Sequence, residues 1–189
     1  SLANESSSRV LLPDFRLAPE YAFPAAIEDI LAVYKRMCDH HVDIVFAADG
    51  SGAAIALAAA LSLPKELRRY FKGMLLFSPW LDLSASSLIY SVKTKDPLFT
   101  QDAFRVCGTH YTYEANLENP LVSPLRADVE HYQNFPPVYI QTGSEELMVP
   151  CMKKFEEKLK EAGVECTLEI FDKLFHFFQF DHEDVPQTH

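Results

Sequence analysis

An α/β fold with a mainly parallel sheet and flanking helices is predicted by three features of the sequence. Short apolar runs suited to strands alternate with segments of helical period. Each connection between successive runs is long enough to hold a crossover helix, which parallel pairing requires. Polar or glycine-bearing turns follow several of the runs directly, at the strand ends where open α/β sheets collect their functional groups.

Taken in order, Arg9–Phe15 reads as a short strand leading into the turn-rich stretch Arg16–Glu20. Pro24 opens a helix, since a first helical position needs no N–H donor. Ile27, Ile30, Leu31, Tyr34, Met37 and Cys38 then recur at helical spacing, so one face is buried. His40 and His41 fall at its end, where polar or cationic groups are favourable, and lack metal-ligand spacing. Val42–Ala47 is an apolar run of the kind buried on both faces of a parallel sheet. It enters a tight turn over Ala48–Gly52, followed by an alanine-rich helix over Ala53–Leu61. Gly73–Phe77 is the next buried strand.

From residue 84 to residue 134 no strong period is present, and many of the aromatic residues and prolines gather there. This stretch reads as an irregular, partly helical insertion within a single domain spanning residues 1–189. Regular structure resumes with a strand over Pro137–Thr142 that ends on Gly143, Ser144, Glu145 and Glu146. Met152, Phe155, Leu159 and Ala162 mark an amphipathic helix stopped by Gly163. A last strand, Glu165–Phe171, precedes an aromatic cluster around His176.

Composition narrows the function. With 48% hydrophobic residues and a mean hydropathy of −0.06, a chain of this length can bury a core. A formal charge of −10 and a pI near 5.1 argue against nucleic acid or an anionic membrane as partner. No apolar run is long enough to span a bilayer, and the polar stretch Ser1–Ser8 is unlike a signal peptide, so a cytoplasmic location is expected. Cys38, Cys107, Cys151 and Cys166 are scattered without CxxC spacing and read as free thiols. Neither a metal cluster nor a phosphate-binding glycine loop is present, so no metal or cofactor is expected.

Three polar features follow predicted strands: the turn Asp49–Gly52, the pair Glu145/Glu146, and His176. Together they suit acyl transfer. A hydroxyl on a strained elbow attacks a carbonyl, a histidine takes its proton, and a carboxylate fixes the imidazole tautomer. Their order in the chain is that of α/β-hydrolases.

Several strings strengthen that likeness. Phe15–Glu20 (FRLAPE) and Phe23–Asp29 (FPAAIED) resemble the YRLAPE…FPAALED signature of hormone-sensitive-lipase-like esterases. Ser78–Ser84 (SPWLDLS), Asn119–Leu125 (NPLVSPL), Phe135–Ile140 (FPPVYI) and Glu161–Val164 (EAGV) are similar to further family strings in the same order. The resemblance implies an α/β-hydrolase fold and carboxylic-ester hydrolysis, with a small acyl ester as ligand. It assigns the base to His176 and the acid to Glu146, with Glu145 as alternative if the loop slips by one residue.

Four departures accompany the resemblance. Against the family's GDSAGG elbow the chain reads Ala48–Ala53 (ADGSGA), so Gly50 stands at the nucleophile position and Ser51 follows it. No HGGG string, the family's source of other oxyanion donors, occurs in the 189 residues. The family strand that precedes HGGG is likewise not in the sequence. Arg9–Phe15 must therefore pair directly with Val42–Ala47 or leave an open strand edge, and homo-oligomerisation through that edge is expected. Lastly, Pro150 replaces a family acid and Phe177 a family glycine. The expectation is an N-terminally truncated hydrolase domain.

Two readings follow. One is a pseudoenzyme, inactive or weakly active because Gly50 has no side chain. The other is an active short-chain carboxylesterase using Ser51, Glu146 and His176. Asp49 is expected to accept backbone N–H groups in the elbow. Trp80, Phe99, Tyr111 and Tyr113 either pack in the core or line a ligand pocket.

Overall fold

The computed structural model describes residues 2–84, 96 and 98–180. Part of the expected insertion at 84–134 lies outside the described residues. Four strands, β1 (Ile44–Asp49), β2 (Phe71–Phe77), β3 (Val138–Gly143) and β4 (Cys166–Phe171), form one sheet in the order β1-β2-β3-β4. All three pairings are parallel, with Leu76 opposite both Ala48 and Ile140, and Ile140 opposite Leu168. The helices are α1 (Leu2–Ser6), α2 (Ala25–Cys38), α3 (Gly50–Leu61), α4 (Gln101–Tyr111) and α5 (Val149–Glu161).

Helix α3 crosses from β1 to β2 and α5 from β3 to β4, each packing on the strands it joins. Crossovers of one hand that step in one direction place their helices on the same face of the sheet. The burial pattern agrees. Phe46, Ala48, Met74, Leu76, Val138, Ile140 and Leu168 face the helices and join the core. Their alternating neighbours face away: Val45 and Ala47 in β1 and Glu169 in β4 are exposed, and Leu75 and Tyr139 half-buried. Val42–Ala47 is therefore not buried on both faces as expected. An apolar run cannot report which of its faces the topology will cover.

The first expected strand does not form either. Arg9–Phe15 takes no regular secondary structure and pairs with no strand, and Leu12 is 91% exposed. A strand is stable only when a neighbour accepts its ladder, and within the described residues none does. The outer edge of β1 is accordingly open, the second of the two alternatives. Arg16 anchors this segment to α2 instead, pairing with Asp29 at 2.9 Å and Glu28 at 3.2 Å.

Elsewhere the local signals act as expected. Helix α2 buries Ala26, Ile27, Tyr34 and Cys38, and Tyr34 donates to the Leu67 carbonyl at 3.0 Å. Helix α3, eight of whose twelve residues are alanine or leucine, buries Ala53, Leu57 and Ala60, as a helix wedged between sheet and α2 must. Helix α5 buries Met152, Phe155 and Leu159. It ends where Gly163 N–H donates to Lys160 O and Val164 N–H to Leu159 O.

Candidate active site

The loops after β1, β2, β3 and β4 meet at the C-terminal end of the sheet. Asp49 ends β1 in extended conformation, and Gly50 begins α3 with φ +47°. That left-handed backbone suits glycine, which lacks the Cβ that strains other residues there. The Gly50 carbonyl accepts from Trp80 N–H at 2.9 Å, tying the elbow to the exit of β2. Asp49 does not act as expected: its side chain lies on the outward side of β1, exposed, and caps nothing.

Glu146 and His176 are brought together. His176 Nδ1 lies 2.9 Å from Glu146 Oε2, and the two residues are 3% and 1% exposed respectively. The other carboxylate oxygen, Oε1, accepts from Ser78 Oγ at 2.7 Å and from Gly143 N–H at 2.6 Å. A buried carboxylate is tolerated only when its lone pairs are met in this way. With the carboxylate accepting at Nδ1, the ring proton sits there and Nε2 carries the lone pair. Glu145 is exposed and its backbone N–H bonds to Leu174 O, so the structure brings Glu146, not Glu145, to the histidine.

The approach of the two loops depends on Gly143. A Cβ there would come within 2.1 Å of Leu174 O, so any side chain would force the histidine loop away. Phe99 lies edge-on to the His176 ring at 4.9 Å and Phe177 at 4.0 Å, giving the imidazole apolar walls.

Gly50 faces the histidine across the site. A Cβ placed on it would lie 3.7 Å from His176 Nε2. Ser51, one position along α3, is exposed, and its hydroxyl makes no hydrogen bond among the described residues. The first-turn N–H groups of α3 have no intrahelical acceptor.

Gly50, Ser51 and His176 border a cavity of about 400 Å³. Its walls include Trp80, Leu83, Phe99, Phe104, Tyr111 and Met148. Burial pushes the Tyr111 phenol up to about 12, so it stays protonated at neutral pH. Tyr113 lies outside, 83% exposed. Two contributors were not read from sequence, Ser78 and Gly143 N–H, whereas Phe99 lines the pocket as one of its two expected alternatives. Only Ser78 left a signal, as the first residue after β2 within the SPW string.

With this geometry in view, comparison with known proteins is decisive. A family model described as α/β hydrolase fold matches residues 1–180. The chain belongs to the α/β-hydrolase fold family, and it is similar to hormone-sensitive-lipase-family proteins. An esterase of Acinetobacter venetianus is 31% identical, over 99% of this chain and 62% of its own length. An acetyl-hydrolase of Streptomyces hygroscopicus is 28% identical, over 99% and 63%. Among solved structures, a hormone-sensitive lipase from a metagenome library matches with a TM-score of 0.85 at 29% identity, covering 99% of this chain and 65% of that one. The chain thus spans about three-fifths of the length of these relatives. Among the described residues no helix is long and apolar enough to cross a membrane.

Proposed function

We propose that this chain is a carboxylic-ester hydrolase domain in which acyl-enzyme chemistry is lost or strongly weakened. The observation that carries the reading is Gly50. It holds the elbow position opposite His176 Nε2, and it has no atom with which to attack an ester. His176 would be the base and Glu146 the carboxylate that orients it. Loss of a triad nucleophile costs on the order of 10⁶ in rate. The ligand class is a small acyl ester. The cavity is near the lower end of the roughly 300–1,000 Å³ range of ligand sites, its wall is mainly apolar, and Phe177 narrows it beside the base.

A second reading, hydrolysis by Ser51 with Glu146 and His176, is favoured by one fact: Ser51 borders the same cavity as the histidine. Against it, Ser51 is exposed and its hydroxyl is not hydrogen-bonded to the ring. Turnover of p-nitrophenyl acetate by the native chain, Ser51→Ala and Gly50→Ser separates the two. A large gain in Gly50→Ser supports the first reading, and native turnover abolished by Ser51→Ala overturns it.

The open edge of β1 supports self-association as a further element of this proposal. Val45 is exposed, and Leu11, Leu12, Ile44 and Phe46 border a groove of about 310 Å³ along that strand. Unpaired strand edges recruit a second strand. Sedimentation velocity that finds only monomer at high concentration would remove it.

A further inference from the structure

Resting on that reading, we propose that the Glu146–His176 pair acts as a general base on water held in the space beside Gly50, so that esters are cleaved here without an acyl-enzyme. The first ground is room. A carbon built on Gly50 meets nothing closer than His176 Nε2 at 3.7 Å and the Phe177 ring at 3.8 Å. One water occupies about 30 Å³ in the liquid, comparable to the hydroxymethyl group that a serine would place there. An oxygen in that space can approach Nε2 to hydrogen-bonding distance, about 2.7–3.2 Å.

The second ground is orientation. Glu146 is fixed by Ser78 and by Gly143 N–H, and it holds Nδ1 at 2.9 Å. The lone pair of Nε2 therefore points toward Gly50 and the cavity. Phe99 and Phe177 flank the ring, so the imidazole nitrogen is the polar partner these walls offer. The third ground is the helix start. α3 is twelve residues long and presents its unsatisfied N–H groups at this end, where negative charge develops on a carbonyl oxygen.

The step balances with ester and water alone. The water oxygen attacks the acyl carbon, its proton passes to His176 Nε2, and the carbonyl π pair becomes the oxyanion. Collapse of that intermediate restores the carbonyl and breaks the bond to the alcohol oxygen. The departing alkoxide takes the proton from Nε2, which returns the histidine to its neutral form. Acid and alcohol leave, and no protein atom is ever acylated. General-base assistance of this kind contributes about 10²–10⁴ in rate.

The test uses the full chain with p-nitrophenyl acetate. Native protein is expected to give linear release of nitrophenol without a burst and no acetyl adduct by intact-mass measurement after acid quench. Gly50→Ala, whose methyl fills the space, and His176→Asn are each expected to lower the rate at least tenfold. Gly50→Ser is expected to introduce both a burst and an adduct mapped to position 50. Native turnover no faster than that of His176→Asn, with no adduct, overturns the water mechanism and leaves the nucleophile-deficient reading standing. An acetyl adduct on Ser51 of the native chain overturns both. The burst and adduct measurements on unmodified protein decide the matter even where a variant folds poorly.

Discussion

The two sides of the site differ in whether side chains define them. On the base side, one carboxylate is gripped by a hydroxyl from the β2 exit, a backbone N–H at the end of β3 and an imidazole from the loop after β4. On the elbow side, the Gly50 carbonyl accepts from Trp80 N–H, and the position facing His176 has no side chain. A network of mutually satisfying buried groups resists piecemeal change, because each deletion leaves the others unpaired. A nucleophile is one side chain at a backbone that glycine accommodates without strain. The difference teaches that the fold can keep a buried carboxylate–imidazole pair fully bonded beside a position that carries no side chain.

The largest effect that could break this comparison is at the elbow. Gly50→Ser should raise p-nitrophenyl acetate turnover at least a hundredfold, as measured by initial rates. No gain would mean that the elbow side lacks more than a hydroxyl. Next is the base side. Glu146→Ala strips the acceptor from Ser78, Gly143 and His176 at once, and should lower stability by about 3 kcal/mol, read from urea unfolding. A loss under about 1 kcal/mol would show that the network is not the tight unit described.

A smaller effect is expected at the support of the elbow. Trp80 Nε1 donates to Asp82 O, and the fully buried Asp82 carboxylate meets Arg126 at 3.3 Å. Arg126→Ala should cost on the order of 2 kcal/mol in the same unfolding assay. The smallest concerns groups outside both sides. Cys107 is exposed, whereas burial pushes the Cys151 thiol up to about 12 and the Cys166 thiol up to about 11. At pH 8 the latter two remain almost wholly protonated, and the thiolate is the nucleophile. Iodoacetamide should therefore label Cys107 first, as peptide mass mapping would show.

Much of the fold was legible in the sequence. The strands at β2, β3 and β4, the helices α2, α3 and α5, and the stop at Gly163 follow from local period and turn chemistry, which act within a few residues. The family strings placed Gly50, Glu146 and His176 in one constellation. What failed was non-local. Arg9–Phe15 has the composition of a strand, but a strand also needs a neighbour. Val42–Ala47 is apolar enough for a doubly covered strand, yet its helices lie on one face. Asp49 has the type of a turn acceptor, but pleat alternation turns its side chain outward.

By itself the sequence determined the family, the order of the elements and the absence of a side chain at the elbow, because these depend on residue identity and short-range pattern. Only the tertiary structure decided that Glu146 rather than Glu145 reaches the histidine. It also decided that Ser78 and Gly143 complete the carboxylate's shell, and that Gly50 lies close to Nε2 while the exposed Ser51 is not hydrogen-bonded to the ring. Those outcomes turn on ångström-scale distances between loops far apart in the chain, which are set by strand register and by close approaches such as Gly143 against Leu174.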